Sequence, residues 1–320
     1  MTLDKIKNMI IFFIGFLIST IIIVYLVNSF NYSTFNSIIS KVNFAKIFLA
    51  MLLLVFSVYI RAIRWQLLIK NGSSVNFLYK AELVGYFGNN IFPLRMGEFL
   101  RTYFVSVEYN LSKSKIFGTI LLERILDMLG VSMLLFLLVF INYSFLFKIN
   151  ILLLFAIFGI SLVGIIGTYF SFRRKKTTYK IKKNKFILII NEIHKGFSNL
   201  NNENIFKIFI TTISIWFIYL LQLYLVQDSF NLGLNFSEIV ILLVISTVAI
   251  SIPALPGNFG TFEGAVFYSL SLFNIQDNFG FGFILHAVSF IPYTILGFLH
   301  FLKNLDIFKN FSYKLFSSNE

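Results

Sequence analysis

Between Gly88 and Arg101 the sequence reads GNNIFPLRMGEFLR, and this stretch restricts the fold more than any other. It sets a proline, two glycines, two arginines and a glutamate among long apolar runs. Each ionised group there costs about 2.5 to 3.5 kcal/mol if a helix carries it into a membrane. Pro93 also removes a backbone hydrogen bond and crowds the preceding turn, so an unbroken span through it is disfavoured. The expectation is a broken or re-entrant helix. Interrupted backbone at membrane depth survives only where protein buries it or where it lines a polar cavity, which makes the stretch a candidate site.

The composition supplies the membrane. Of 320 residues 58% are hydrophobic and 13% charged, with a mean hydropathy of +0.82, whereas about a quarter of a soluble domain is charged. The fold class is therefore all-α, a polytopic helical membrane protein. The net charge of +13 lies in short runs beside apolar spans, where the positive-inside pattern and anionic lipid headgroups favour it, so no nucleic-acid partner is expected. The chain has no cysteine, and His194, His286 and His300 show no ligand spacing. No cofactor and no metal are expected.

The apolar runs predict about six full spans, at 9–27, 47–69, 116–141, 149–170, 205–226 and 279–302. The first is longer than a signal-peptide core and lacks a cleavage site after it. Two broken hairpins are expected, at 79–105 around Pro93 and at 238–275 around SIPALPGNFGTFEGA. Residues 171–204 hold a basic linker, SFRRKKTTYKIKKNK, and then Phe186, Ile189, Ile190, Ile193, Phe197 and Leu200 at the spacing of an amphipathic helix lying on the inner leaflet. The whole reads as a single transmembrane domain, 1–320, with a first half at 1–141 and a second at 205–303.

Placing both termini in the cytoplasm leaves Arg95, Arg101 and Arg124 at membrane depth and Lys41, Lys46 and Lys148 near the outer side, with the rest of the 27 Lys and Arg cytoplasmic. The opposite orientation inverts that bias. The Pro93 hairpin then enters from the cytoplasm and the Pro256 hairpin from outside. In each, proline is followed four residues later by glycine and then by glutamate: Pro93, Gly97, Glu98 and Pro256, Gly260, Glu263. Such interruptions at corresponding places in two halves point to an inverted repeat around a central site. All four prolines (Pro93, Pro253, Pro256 and Pro292) fall in membrane segments, and Pro292 is expected to do no more than kink its span.

The third span contains ERILD, in which Glu123, Arg124 and Asp127 can share a helix face. Facing lipid, Arg95, Glu98, Arg101, Glu123, Arg124, Asp127 and Glu263 would together cost on the order of 20 kcal/mol, more than the stability of a typical protein. They must face inward. As structural locks they would pair, Arg95 with Glu98 and Arg101 with Asp127. As a substrate site, the guanidinium forks would take a lipid phosphate, while Glu263 or Glu98 answers a cationic headgroup or carries a proton. Asn89, Asn90 and Asn258 would then give neutral hydrogen bonds, and Gly257 and Gly260 close backbone approach. Arg61, Arg64 and Trp65 close the second span and are expected at the cytoplasmic interface, as snorkelling anchors or as contacts to lipid phosphate.

RAIRWQLL, FPLRMGEFLR, ILLERILDML and IPALPGNFGTFEGA, in this order, resemble the membrane domain of lysylphosphatidylglycerol synthases and the wider flippase-like family of integral membrane proteins. The resemblance spans essentially the whole chain. It implies a phospholipid or polyprenyl-linked substrate and a lipid-synthesising enzyme as partner. The chain ends at Glu320, soon after the last span, so the synthase half is expected to be missing. Three function classes stay open. A translocator moving a phosphate-bearing lipid between leaflets explains two opposed hairpins. A membrane-embedded transferase could use a carboxylate as base, but the sequence has no Asp-x-Asp motif or Gly-rich phosphate loop. An accessory subunit of a cell-envelope lipid or glycan system would use the charges for assembly alone. The leading expectation is a non-enzymatic lipid translocator of a prokaryotic plasma (inner) membrane.

Overall fold

The computed structural model describes residues 42–69, 72–92, 95–141, 202–251, 255–275 and 279–308, with isolated positions 21, 24, 36, 39, 40, 159, 192 and 193. The expected spans at 9–27 and 149–170, the amphipathic helix at 186–200, and Pro93 and Pro253 themselves lie outside the described residues.

The described residues form α-helices and no strands: α1 (Phe44–Ile69), α2 (Val75–Ile91), α3 (Gly97–Glu108), α4 (Lys113–Ile141), α5 (Asn202–Ser229), α6 (Phe236–Ser251), α7 (Thr261–Leu272) and α8 (Phe279–Lys303), with a 3-10 turn at Pro256–Asn258. Helix is what an apolar chain needs in hydrocarbon, because every backbone N–H must find its partner within the segment. Helices α1, α5 and α8 are long and apolar enough to cross a membrane. Helix α4 matches them with 29 residues but carries ERILD near its middle. These four agree with the spans expected at 47–69, 205–226, 279–302 and 116–141. Helix α8 runs on through Pro292.

The other four helices are too short to span. Helices α2 and α3, of 17 and 12 residues, reach about 25 and 18 Å. Helices α6 and α7, of 16 and 12 residues, reach about 24 and 18 Å, against a hydrocarbon core of about 30 Å. Each pair packs on itself as a hairpin. The Ser74 N–H before α2 donates to the Tyr109 hydroxyl after α3 at 2.9 Å, so the first hairpin leaves on the side it entered.

Long, medium, short, long is the order of helices in α1–α4, and it repeats in α5–α8. The packing repeats too. Exchanging α1 with α5, α2 with α6, α3 with α7 and α4 with α8 turns the α2–α8 contact into α6–α4, α1–α8 into α5–α4, α3–α4 into α7–α8 and α1–α2 into α5–α6, and all of these pack. Helices α1 and α5 lie side by side and antiparallel, with Lys46 in the first turn of α1 bound to Asp228 in the last turn of α5 at 2.5 Å. The two units are thus inverted, as the paired Pro–Gly–Glu patterns suggest.

Phe44, Phe48, Leu52 and Phe56 on α1, and Phe206, Phe209, Ile213 and Phe217 on α5, stand exposed at helical spacing. Soluble monomers rarely leave such stripes bare. The buried charged side chains are instead inside, most of them among α1–α4.

Candidate functional site

At the tip of the first hairpin α2 ends at Ile91, Phe92 is extended, and α3 begins at Gly97. The two helices meet almost backbone to backbone. A side chain on Gly88 would come within 2.7 Å of Gly97, and one on Gly97 would strike the Gly85 carbonyl. Asn89 Oδ1 accepts the Gly97 N–H at 2.9 Å and so satisfies one of the free donors at the start of α3. Arg95 holds a left-handed backbone, φ 54°, which costs a non-glycine residue roughly 1–2 kcal/mol. That turn sends its guanidinium to the other unit, where Nη1 donates to the Ile250 carbonyl at 2.5 Å in the last turn of α6. A cation there complements both the orphan carbonyls and the negative end of the helix dipole.

The second tip answers the first. Gly257 (φ 68°) and Asn258 (φ 60°) turn the chain through the left-handed region. A side chain on Gly257 would meet the Phe290 ring at 2.6 Å and lie 3.3 Å from the Asn90 carbonyl of the first tip. Asn90 Nδ2 in turn donates to Thr294 Oγ1 on α8 at 2.8 Å. Gly260 caps α7, and its N–H donates to Glu263 Oε2 at 2.7 Å. The other carboxylate oxygen of Glu263 lies 2.6 Å from His286 Nδ1, inside a cage of Phe259, Phe262 and Phe290.

Beneath the first tip lies a charge lattice. Arg101 bridges Glu82 at 2.5 Å and Glu123 at 2.9 Å, all three buried, with Trp65 stacked on its guanidinium at 4.9 Å. Asp127 takes Arg61 at 2.5 and 3.2 Å, Arg64 at 2.7 Å and Arg124 at 3.4 Å. Arg64 also approaches Glu123 at 3.9 Å, so Glu123 and Asp127 do share a face of α4. Arg124 reaches Glu98 at 3.3 Å, without the alignment of a hydrogen bond. Four arginines therefore balance four carboxylates.

The pairs differ from the expected ones. Glu98 goes to Arg124 rather than Arg95, and Asp127 goes to Arg61 and Arg64 rather than Arg101. Arg61, Arg64 and Trp65 are not interfacial anchors either: their side chains are buried against α4 and α5, and Trp65 Nε1 donates to Thr119 at 2.9 Å. The acidic face of α4 explains this, because buried carboxylates demand counter-charges and α1 supplies them.

Between the two tips lies a cavity of about 440 Å³. Its charged wall is Arg61, Arg95, Arg124 and Asp127. Asn89, Asn90, Gln222, Asn258, His286 and Ser289 add further polar groups, Gly257 brings backbone close, and Leu54, Leu223, Phe262, Leu285 and Phe290 contribute apolar surface. Trp216 also lines it, and its buried indole N–H finds no partner among the described residues. Of the residues given a role from the sequence, Arg61, Arg95, Arg124, Asp127, Asn89, Asn90, Gly257 and Asn258 meet here. Glu98, Arg101, Glu123, Glu263 and Gly260 do not reach the cavity; the first three belong to the lattice and the last two hold the start of α7. Glu82, His286 and Trp216 complete the arrangement and were not among the expected site residues. The rule that flags intramembrane ionisable groups would have found Glu82 and His286; the tryptophan carries no such signal.

The family model for the lysylphosphatidylglycerol synthase TM region matches residues 12–297. Among curated proteins, the chain is similar to UPF0104 membrane protein MJ1078 of Methanocaldococcus jannaschii, 25% identical over 217 residues, covering 67% of this chain and 93% of that protein. It is 25% identical over 287 residues to UPF0104 membrane protein MJ1595 of the same organism, covering 80% and 84%. It is 33% identical over 142 residues to UPF0104 membrane protein PH1989 of Pyrococcus horikoshii, covering 40% and 41%. No solved structure matches the chain.

Proposed function

The chain belongs to the lysylphosphatidylglycerol synthase TM region family, and we propose that it is a non-enzymatic translocator that carries a phosphate-bearing lipid between the leaflets of a prokaryotic plasma membrane. The observation that carries this reading is Arg95. Among the described residues it is the one cavity arginine without a carboxylate partner; its guanidinium is bound only to the Ile250 carbonyl. A half-buried cation without a carboxylate partner at the meeting point of two half-spanning hairpins is suited to an anionic ligand, and its planar fork fits phosphate oxygens. The inverted units support alternating access, in which one unit rocks against the other around a fixed central site.

The test is purified protein in liposomes, scored for exposure of fluorescent phospholipid to a membrane-impermeant quencher without any donor substrate. Exposure well above protein-free liposomes is expected, and none above background would overturn the reading. The same proposal sets both termini in the cytoplasm. With no native cysteine in the chain, an impermeant thiol reagent applied to intact cells should label Asn231→Cys and spare Lys175→Cys; the reverse pattern would invert the topology.

A further inference from the structure

Resting on that reading, we propose that the cavity selects an anionic lipid headgroup that lacks an ammonium group, and so discriminates against the aminoacylated lipid in its family's name. A carboxylate is the strongest partner for the ammonium groups of a lysyl ester. Among the described residues Asp127 is the only carboxylate on the cavity wall, against Arg61, Arg95 and Arg124. Asp127 is not available. Both its oxygens are held, one by Arg61 and Arg64 and the other by Arg61 and Arg124.

The neighbouring carboxylates do not line the cavity. Glu98 lies against Arg124 outside the cavity wall. Glu263 commits one oxygen to the Gly260 N–H and the other to His286. The cations, by contrast, are in surplus. Arg95 stands outside the balanced lattice, and Arg124 is its most loosely held arginine, with contacts of 3.3 and 3.4 Å and a side chain 34% exposed. A headgroup entering this space meets the guanidinium groups of Arg95 and Arg124 and, among the described residues, no free carboxylate on the wall. An ammonium group would be desolvated there beside like charge, which penalises it twice. The chemistry that fits is a phosphate diester or monoester whose remaining groups are hydroxyls or hydrocarbon.

The experiment is native mass spectrometry of the detergent-purified full chain, titrated with phosphatidylglycerol, a polyprenyl monophosphate, phosphatidylethanolamine and lysylphosphatidylglycerol. Apparent affinity for phosphatidylglycerol or the polyprenyl phosphate should exceed that for lysylphosphatidylglycerol by at least about ten-fold, as expected for one missing charge-assisted bond. Whichever of the two anionic lipids binds better identifies the source of the phosphate. Arg95→Gln should bring the anionic and lysyl lipids to within about two- to three-fold of each other. Equal or tighter binding of lysylphosphatidylglycerol would overturn the proposal, as would retention of no lipid at all or an unchanged preference in Arg95→Gln. The wild-type panel decides the matter even if the variant is unstable. Transport failure in liposomes with intact binding selectivity would sink the translocator reading and leave this one standing.

Discussion

The two hairpins have nearly the same helix lengths and enter from opposite ends of the inverted units, yet their chemistry differs. The first carries Glu82, Arg95, Glu98 and Arg101 and packs on α4, which adds Glu123, Arg124 and Asp127. The second has Glu238 at its entrance and then Glu263, whose partner His286 sits on the adjoining α8. Symmetry therefore describes the scaffold and not the site. An inverted repeat gives two opposed tips at one depth, and the charges that divide binding from bracing are placed on one side of it.

The largest effect should come from the lattice. Arg101→Leu strands Glu82 and Glu123 in the interior, and breaking a buried ion pair of this kind costs about 3 to 5 kcal/mol. The expected result is a large loss of membrane abundance and a collapsed thermal transition in detergent. Adding Glu82→Gln and Glu123→Gln to Arg101→Leu should recover most of it. If Arg101→Leu alone leaves stability intact, the division between braced and ligand charges fails at its strongest point.

A smaller effect tests the tips themselves. Gly97→Ala would drive a methyl group into the Gly85 carbonyl, and backbone cannot swing aside; overpacking of this kind costs about 1 to 3 kcal/mol. Gly257→Ala meets the edge of the Phe290 ring, which can move, but must hold φ 68°, at about 1 to 2 kcal/mol. Thermal unfolding of both variants should rank Gly97→Ala as the more damaging. The opposite order would make the second hairpin the more rigidly fitted of the two.

Smaller still is Glu263→Gln. The amide oxygen can still accept the Gly260 N–H, so the start of α7 keeps its cap, and only the contact with His286 weakens. A loss of about 1 kcal/mol is expected. A loss comparable to that of Arg101→Leu would show that the second hairpin also depends on a buried charge, and the contrast between the hairpins would vanish.

Much of this was legible in the sequence, and the reasons are physical. Proline and glycine in an apolar run forecast both breaks, because backbone hydrogen bonding in hydrocarbon tolerates nothing else. The shared Pro-to-Gly spacing of Pro93, Gly97 and Pro256, Gly260, each followed by a glutamate, pointed to the inverted units. Pairing was not legible. Arg101 lies nearer in sequence to Glu98 than to Glu123, but its side chain points back toward α2 and α4, and only the tertiary crossing decides which carboxylate it meets. The placing of Arg61, Arg64 and Trp65 failed for a related cause. A basic, aromatic end of an apolar helix has the composition of an interfacial anchor, and the opposing acidic face of α4, 63 to 66 residues later, is what draws it inside.

Arg95→Lys carries the least expected change in stability and separates ligand from brace most sharply. Lysine keeps a positive charge near the last turn of α6, where the helix dipole and the Ile250 carbonyl both favour a cation. No carboxylate is left unpaired by the change, so stability should stay within about 0.5 kcal/mol of the parent. Lysine loses the planar fork, however, and with it the bidentate grip on phosphate oxygens. Translocation in liposomes should therefore fall by about ten-fold, equivalent to roughly 1.4 kcal/mol of lost ligand interaction, while phospholipid selectivity keeps its sign because the charge remains. A variant that transports at the parent rate would show that a point charge suffices at this position. A variant that unfolds like Arg101→Leu would place Arg95 with the braces, and the first hairpin would then have no ligand of its own to distinguish it from the second.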